Sequence, residues 1–81
     1  MVEVALWSGL RPLVDGRDSV EVEGRTVGEL LDGLRLNYPA LAPRLDAGVS
    51  VVVDGRVIAS SLTEPVRPDS EVVLMMRLKG G

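Results

Sequence analysis

The 81-residue chain contains no cysteine and no histidine. Missing both, it offers no disulfide framework, no Cys/His zinc site, no Ser-His-Asp triad and no Cys-His dyad. Aromatic residues are nearly absent as well: Trp7 and Tyr38 are the only two. Single-strand nucleic-acid binding leans on several stacking rings. A net charge of −3 spread over interspersed signs also lacks the basic stripe of a nucleic-acid binder. No GxGxxG or GxxxxGK[ST] stretch occurs, which leaves dinucleotide and P-loop phosphate binding unsupported. No apolar run approaches the roughly 18 residues of a membrane span. Met1-Val2-Glu3-Val4 has no basic n-region of a secretory signal. The expectation is a cytoplasmic protein with neither nucleic acid nor membrane as partner. The scattered carboxylates read as solvated surface, so the chain is expected not to be an enzyme by itself and to bind no metal or cofactor.

What is present is regular patterning on a one-domain scale. In "VEVALWS", Val2, Val4 and Leu6 alternate with Glu3, Ala5 and Trp7, the period of a half-buried strand. "GLRPLVDGR" supplies turn formers at Gly9, Pro12 and Asp15-Gly16, and "SVEVEG" alternates again, so the first two strands form a hairpin with a long connection. Thr26-Val27-Gly28-Glu29 has the T-x-x-E form of a capping box. From there Val27, Leu30, Leu31, Leu34 and Tyr38 line one helical face, with the three leucines assigned to the core. Gly28 and Gly33 weaken that helix by about 1 kcal/mol each relative to alanine, so packing must hold it. Pro39 ends it, and "ALAPRLDAG" reads as a short irregular or helical-turn connection.

Asp54-Gly55, set between two β-branched runs, predicts a type I′ hairpin turn. "SLTEPVRPDS" reads as loop. In "EVVLMMRLKGG", Val72, Leu74, Met76 and Leu78 share one face and Glu71, Val73, Met75 and Arg77 the other. The order strand, strand, helix, connection, hairpin, loop, long strand predicts an α+β β-grasp, or ubiquitin-like, fold. Its mixed sheet of four to five strands packs on one main helix, with first and last strands parallel neighbours. The expected division is a β-grasp domain over residues 1–78 and a flexible Gly-Gly tail over residues 79–81.

The chain resembles the bacterial ubiquitin-like sulfur carriers, among them the small subunit of molybdopterin synthase and the thiamine-pathway carrier. Leu10-Arg11, "GRTVGELLDGLRLNYPAL", "VSVVVDGRVI" and the terminal Gly80-Gly81 carry the likeness, in the family's order and over nearly the whole chain. Two features depart from it. Asp69-Ser70-Glu71 stands where members often have Gly-Asp-Glu, and "MMRLKGG" has no proline before the tail and looks more like the end of ubiquitin.

The resemblance implies that the Gly81 carboxylate is the reactive group. An E1-like adenylyltransferase would spend ATP to adenylate it, a sulfur donor would convert it to a thiocarboxylate, and an acceptor enzyme would take the sulfur. A molybdopterin synthase large subunit or a thiazole synthase are examples of such acceptors. Gly80 and Gly81 would let the backbone thread a narrow channel, with the last strand as anchor. Val73 and Met75, on the face away from the helix, read either as a partner site or as residues packed under a loop or in a dimer contact. Trp7 would share that face or lie half-buried against the long connection. Arg77, Leu78 and Lys79 join the partner-contact set, the two cations either pairing with acidic groups of a partner channel or standing solvated. Two other functions remain open: a protein modifier joined through Gly81 to lysines, for which the single lysine, Lys79, makes side-chain polymers awkward, and a binding module without activation.

Overall fold

The computed structural model describes residues 1–58 and 62–76. Alternation produces strand β1 (Val2–Leu6), paired antiparallel with β2 (Ser19–Val22) in the register Val4↔Val20. The connection holds a 3-10 turn (Arg11–Val14) that buries Leu10 and Val14. It closes on Asp15 and Gly16, both at positive φ. Helix α1 (Val27–Asn37) follows, then a second 3-10 turn (Pro39–Leu41) and the short α2 (Ala42–Ala47). Strands β3 (Val49–Val53) and β4 (Arg56–Ile58) form the hairpin, and β5 (Val72–Met76) is the last described strand.

The five strands make one mixed sheet in the order β2-β1-β5-β3-β4, with β1 and β5 parallel and every other pair antiparallel. This is the predicted β-grasp arrangement. Strand β5 is therefore interior, with a hydrogen-bonded neighbour on each side. One sheet face supplies Val2, Val4, Leu6, Val20, Val22, Val51, Val53, Val72 and Leu74 to the core, against Val27, Leu30 and Leu34 of α1. No polar or charged residue is buried among the described residues. Burial of apolar surface, at about 25 cal/mol per Å², is thus the main cohesive term.

Helix α1 starts as its sequence dictates, with one change. The Thr26 Oγ1 accepts from the Glu29 N–H (3.2 Å), but Glu29 Oε1 accepts from the Arg25 N–H (2.9 Å) rather than from Thr26. The Val27 and Gly28 amides donate instead to the Glu64 and Leu62 carbonyls (2.9 and 2.8 Å). The segment read as plain loop thus satisfies the first orphan donors of the helix. It also bridges Thr26 to Pro65 and buries Val66. Both helix glycines sit at close approaches. At Gly28 a Cβ would lie 3.0 Å from the Leu62 carbonyl oxygen; at Gly33 it would overlap Val22 Cγ2.

The expectation that Leu31 is a core residue is corrected, while the 40–48 connection takes its helical-turn alternative: a 3-10 turn and a short helix whose Leu41 and Leu45 enter the core. Proline at the first turn of α2 tolerates the helix there, and the leucines at i and i+4 face the same way. Leu31 is only partly buried at the core margin, because Leu30 and Leu34 occupy the centre of the helix's inner stripe. At the Asp54-Gly55 turn φ is 50° and 83°, the left-handed pair of a type I′ turn. Asp54 is tied further, its Oδ1 accepting the Glu71 N–H (2.9 Å) while its own N–H donates to the Glu71 carbonyl (2.8 Å).

Candidate partner-docking face

The sheet face away from α1 is read from strand parity. It carries Glu3 and Ala5 of β1, Ser19 and Glu21 of β2, Ser50 and Val52 of β3, Val57 of β4, and Val73 and Met75 of β5. No helix among the described elements covers it. The register assembles these side chains into rows running across the strands. Ser19, Ala5, Val73, Val52 and Val57 form one row, since Ala5 lies opposite both Ser19 and Val73, and Val52 opposite both Val73 and Val57. Met75 lies beside Ser50 in the next row toward the carboxyl terminus.

Val73 is half-buried in the middle of its row, while Met75 is 44% and Val57 66% exposed. An exposed apolar strip on a sheet, ending in a pliable methionine, has the character of a contact surface. Trp7 lies one residue past β1, where its N–H still donates to the Leu74 carbonyl (3.3 Å). Its half-buried indole packs beside Gly9, whose missing Cβ leaves room for Nε1. This is the expected alternative of partial burial against the connection.

The sequence reading found Val73 and Met75 but not their neighbours Ala5, Val52 and Val57. The signal was available for the hairpin: a two-residue turn at Asp54-Gly55 fixes Val52 opposite Val57. Arg77, Leu78, Lys79, Gly80 and Gly81 lie outside the described residues. What the structure does place is the strand that leads to them. Strand β5 runs from Val72 to Met76 between β1 and β3, so five residues of chain follow its end.

Elsewhere the surface offers little chemistry. A concavity of about 370 Å³ lies between the β3–β4 turn and the 64–70 loop. Its polar groups are largely engaged with one another: Arg56 with Glu64 (3.0 Å), Asp54 with the Glu71 amide, and Ser70 Oγ with the Arg67 N–H (2.9 Å). Among the described residues no group of three or more His, Cys, Asp or Glu is placed to hold a metal ion. No described helix is long and apolar enough to cross a membrane.

The model of the ThiS family matches residues 5–81. The chain belongs to the ThiS family. It thereby joins the family of ubiquitin-like sulfur carriers and modifiers. The ThiS-family chain is similar to SAMP1 from Haloferax volcanii at 30% identity and a TM-score of 0.72, over 99% of this chain and 98% of that one. The CysO structure from the BexX/CysO complex of Amycolatopsis orientalis superposes with a TM-score of 0.83 at 24% identity over the whole of both chains. Mycobacterium tuberculosis CysO does so with 0.83 at 22% identity, over 96% of this chain and all of that one. These two low-identity likenesses establish the shared fold. No curated protein matches this ThiS-family chain in sequence.

Proposed function

We propose that the protein is a sulfur carrier of the cytoplasm whose Gly81 carboxylate is activated and converted to a thiocarboxylate by partner enzymes. The single observation that carries this reading is the ThiS-family match extending through residue 81, so that it includes Gly80-Gly81. Residues 1–78 act as the globular β-grasp body and residues 79–81 as the tail. No cofactor is bound by the chain itself.

The chemistry follows from the electrophile. A carboxylate is a poor acyl donor. An E1-like adenylyltransferase joins the Gly81 carboxylate to the α-phosphate of ATP and releases pyrophosphate. A sulfur nucleophile then attacks the acyl carbon, and AMP leaves with one former carboxyl oxygen. The thiocarboxylate gives its sulfur to a metabolite bound on an acceptor enzyme, of which a molybdopterin synthase large subunit or a thiazole synthase would be examples. This chain's residues supply presentation. The interior strand β5 fixes the chain as far as Met76, so docking of the body limits where the carboxylate can go. From Leu78, three extended residues reach about 10 Å. Val73 and Met75 contribute the apolar contact, with Arg77, Leu78 and Lys79 continuing it toward the tail.

The purified protein, given its E1-like enzyme, ATP and a sulfide source, is expected to exchange one carboxyl oxygen for sulfur, read by intact mass. A variant lacking Gly81 is expected to be inert. Absence of the exchange, or its persistence without Gly81, sinks the proposal.

A second reading, covalent attachment to lysines of other proteins, is favoured by the 30% identity to a small archaeal modifier protein. Gly81-linked lysine branches in digests of cell extract would support it.

A further inference from the structure

Among the described residues, the charged positions of the open sheet face lie at one end. Glu3 lies directly opposite Glu21 in the β1–β2 ladder. One register step before Val4↔Val72, Glu3 also lies beside Glu71, whose carbonyl accepts the Asp54 N–H and whose own N–H donates to Asp54 Oδ1. Glu21 and Glu3 on β2 and β1, with Glu71 just before β5 and Asp54 just after β3, therefore form a row of carboxylates along this end of the sheet. All four are exposed, and none forms an ion pair among the described residues. The Ser19 hydroxyl donates to Glu3 Oε2 (3.0 Å), which orients that carboxylate without neutralising it. Like charges directly opposite across a ladder are destabilising, and the strand positions of this face hold no Arg or Lys among the described residues.

The acidic row borders the apolar row of Ala5, Val73, Val52 and Val57. Two residues of strand separate them, about 7 Å at roughly 3.3 Å per residue. The carboxylates lie at the end where β5 begins, and Met76, its last described residue, lies at the other.

We infer that this face is a polarised docking surface for a protein that presents an apolar strip flanked, about 7 Å away, by a row of Arg or Lys side chains. The inference rests on the carrier reading and adds to it the charge chemistry of the partner. The apolar row supplies contact area, and the acidic row decides which way round the body docks, hence toward which side of the partner the tail points. A second copy paired head to head would oppose two carboxylate rows. Charges at the edge of an interface act mainly on association rate and salt dependence.

The test compares the full chain with its triple variant E3Q/E21Q/E71Q, captured by the purified E1-like enzyme at about 50 mM and 500 mM salt, the first leaving charges weakly screened and the second strongly. The variant is expected to associate on the order of 10-fold more slowly at low salt, to converge with the wild type at high salt, and to dissociate at an unchanged rate. Its thermal midpoint is expected to be no lower than that of the wild type, since Glu3 and Glu21 no longer repel. Equal association rates at low salt, with Met75→Glu still abolishing capture, overturn the acidic row's role and leave the carrier reading standing. Failure of the wild type to be captured at all removes the carrier reading, and this inference with it. A wild-type dimer in sedimentation that Met75→Glu disperses assigns the face to self-association and likewise overturns the inference.

Discussion

Replacing Gly33 by alanine sets two effects of similar size against each other. In an unobstructed helix interior the change gains about 1 kcal/mol. Here the new Cβ would overlap Val22 Cγ2 and stand 3.4 Å from the Glu23 carbonyl oxygen. Val22 is 1% exposed and paired with Val2 in the β1–β2 ladder, and its β-branched side chain has few rotamers to retreat into. Overpacking of this kind costs about 1–3 kcal/mol. The net expectation is a loss of about 1 kcal/mol, which lowers Tm by roughly 4–8 °C in a domain of this size. The assay is thermal and urea unfolding of the wild type, Gly33→Ala, Val22→Ala and the double variant. In the Val22→Ala background the obstructing methyl is gone, so Gly33→Ala is expected to stabilise, giving a coupling of about 1–2 kcal/mol. A stabilising Gly33→Ala in the wild-type background, or the same effect in both backgrounds, refutes the reasoning that α1 needs glycine to reach the sheet.

Asp54→Ala removes the acceptor of the Glu71 N–H and places a residue with a Cβ and no local hydrogen bond at φ 50°. A loss of about 1–2 kcal/mol in urea unfolding is expected, with Asp54→Asn retaining most of the stability. Leu41→Ala, at a fully buried position of the turn before α2, is expected to cost about 2–5 kcal/mol. Leu36→Ala, at a position 80% exposed, is expected to change stability by no more than about 0.5 kcal/mol. Similar losses at the two leucines would contradict the assignment of Leu41 to the core.

The strands, helix α1 and the Asp54-Gly55 turn were legible in the sequence because their determinants are local. Period-two alternation sorts Val2, Val4 and Leu6 from Glu3 and Ala5 whatever lies beyond, and a side-chain cap at Thr26 needs only its own first turn. The 40–48 segment was only partly legible, since two leucines four apart on either side of Pro43 make too short a pattern to choose between an irregular connection and a helical turn. Only a core to bury them decides. The burial of Val66, and the donation of the Val27 and Gly28 amides to loop carbonyls, likewise needed partners distant in the chain.

For the candidate site the division is sharper. Sequence alone determined that Val73 and Met75 point away from the helix, that the chain carries Gly80-Gly81, and that no His or Cys is present to do chemistry. Tertiary structure alone decided that Val73 stands in line with Ala5, Val52 and Val57, and that Glu3, Glu21 and Glu71 share one row. Parity is a property of one strand, whereas a row across a sheet depends on register. Register is set by the joint packing of all five strands on α1, where a one-residue slip would turn a strand's valines outward.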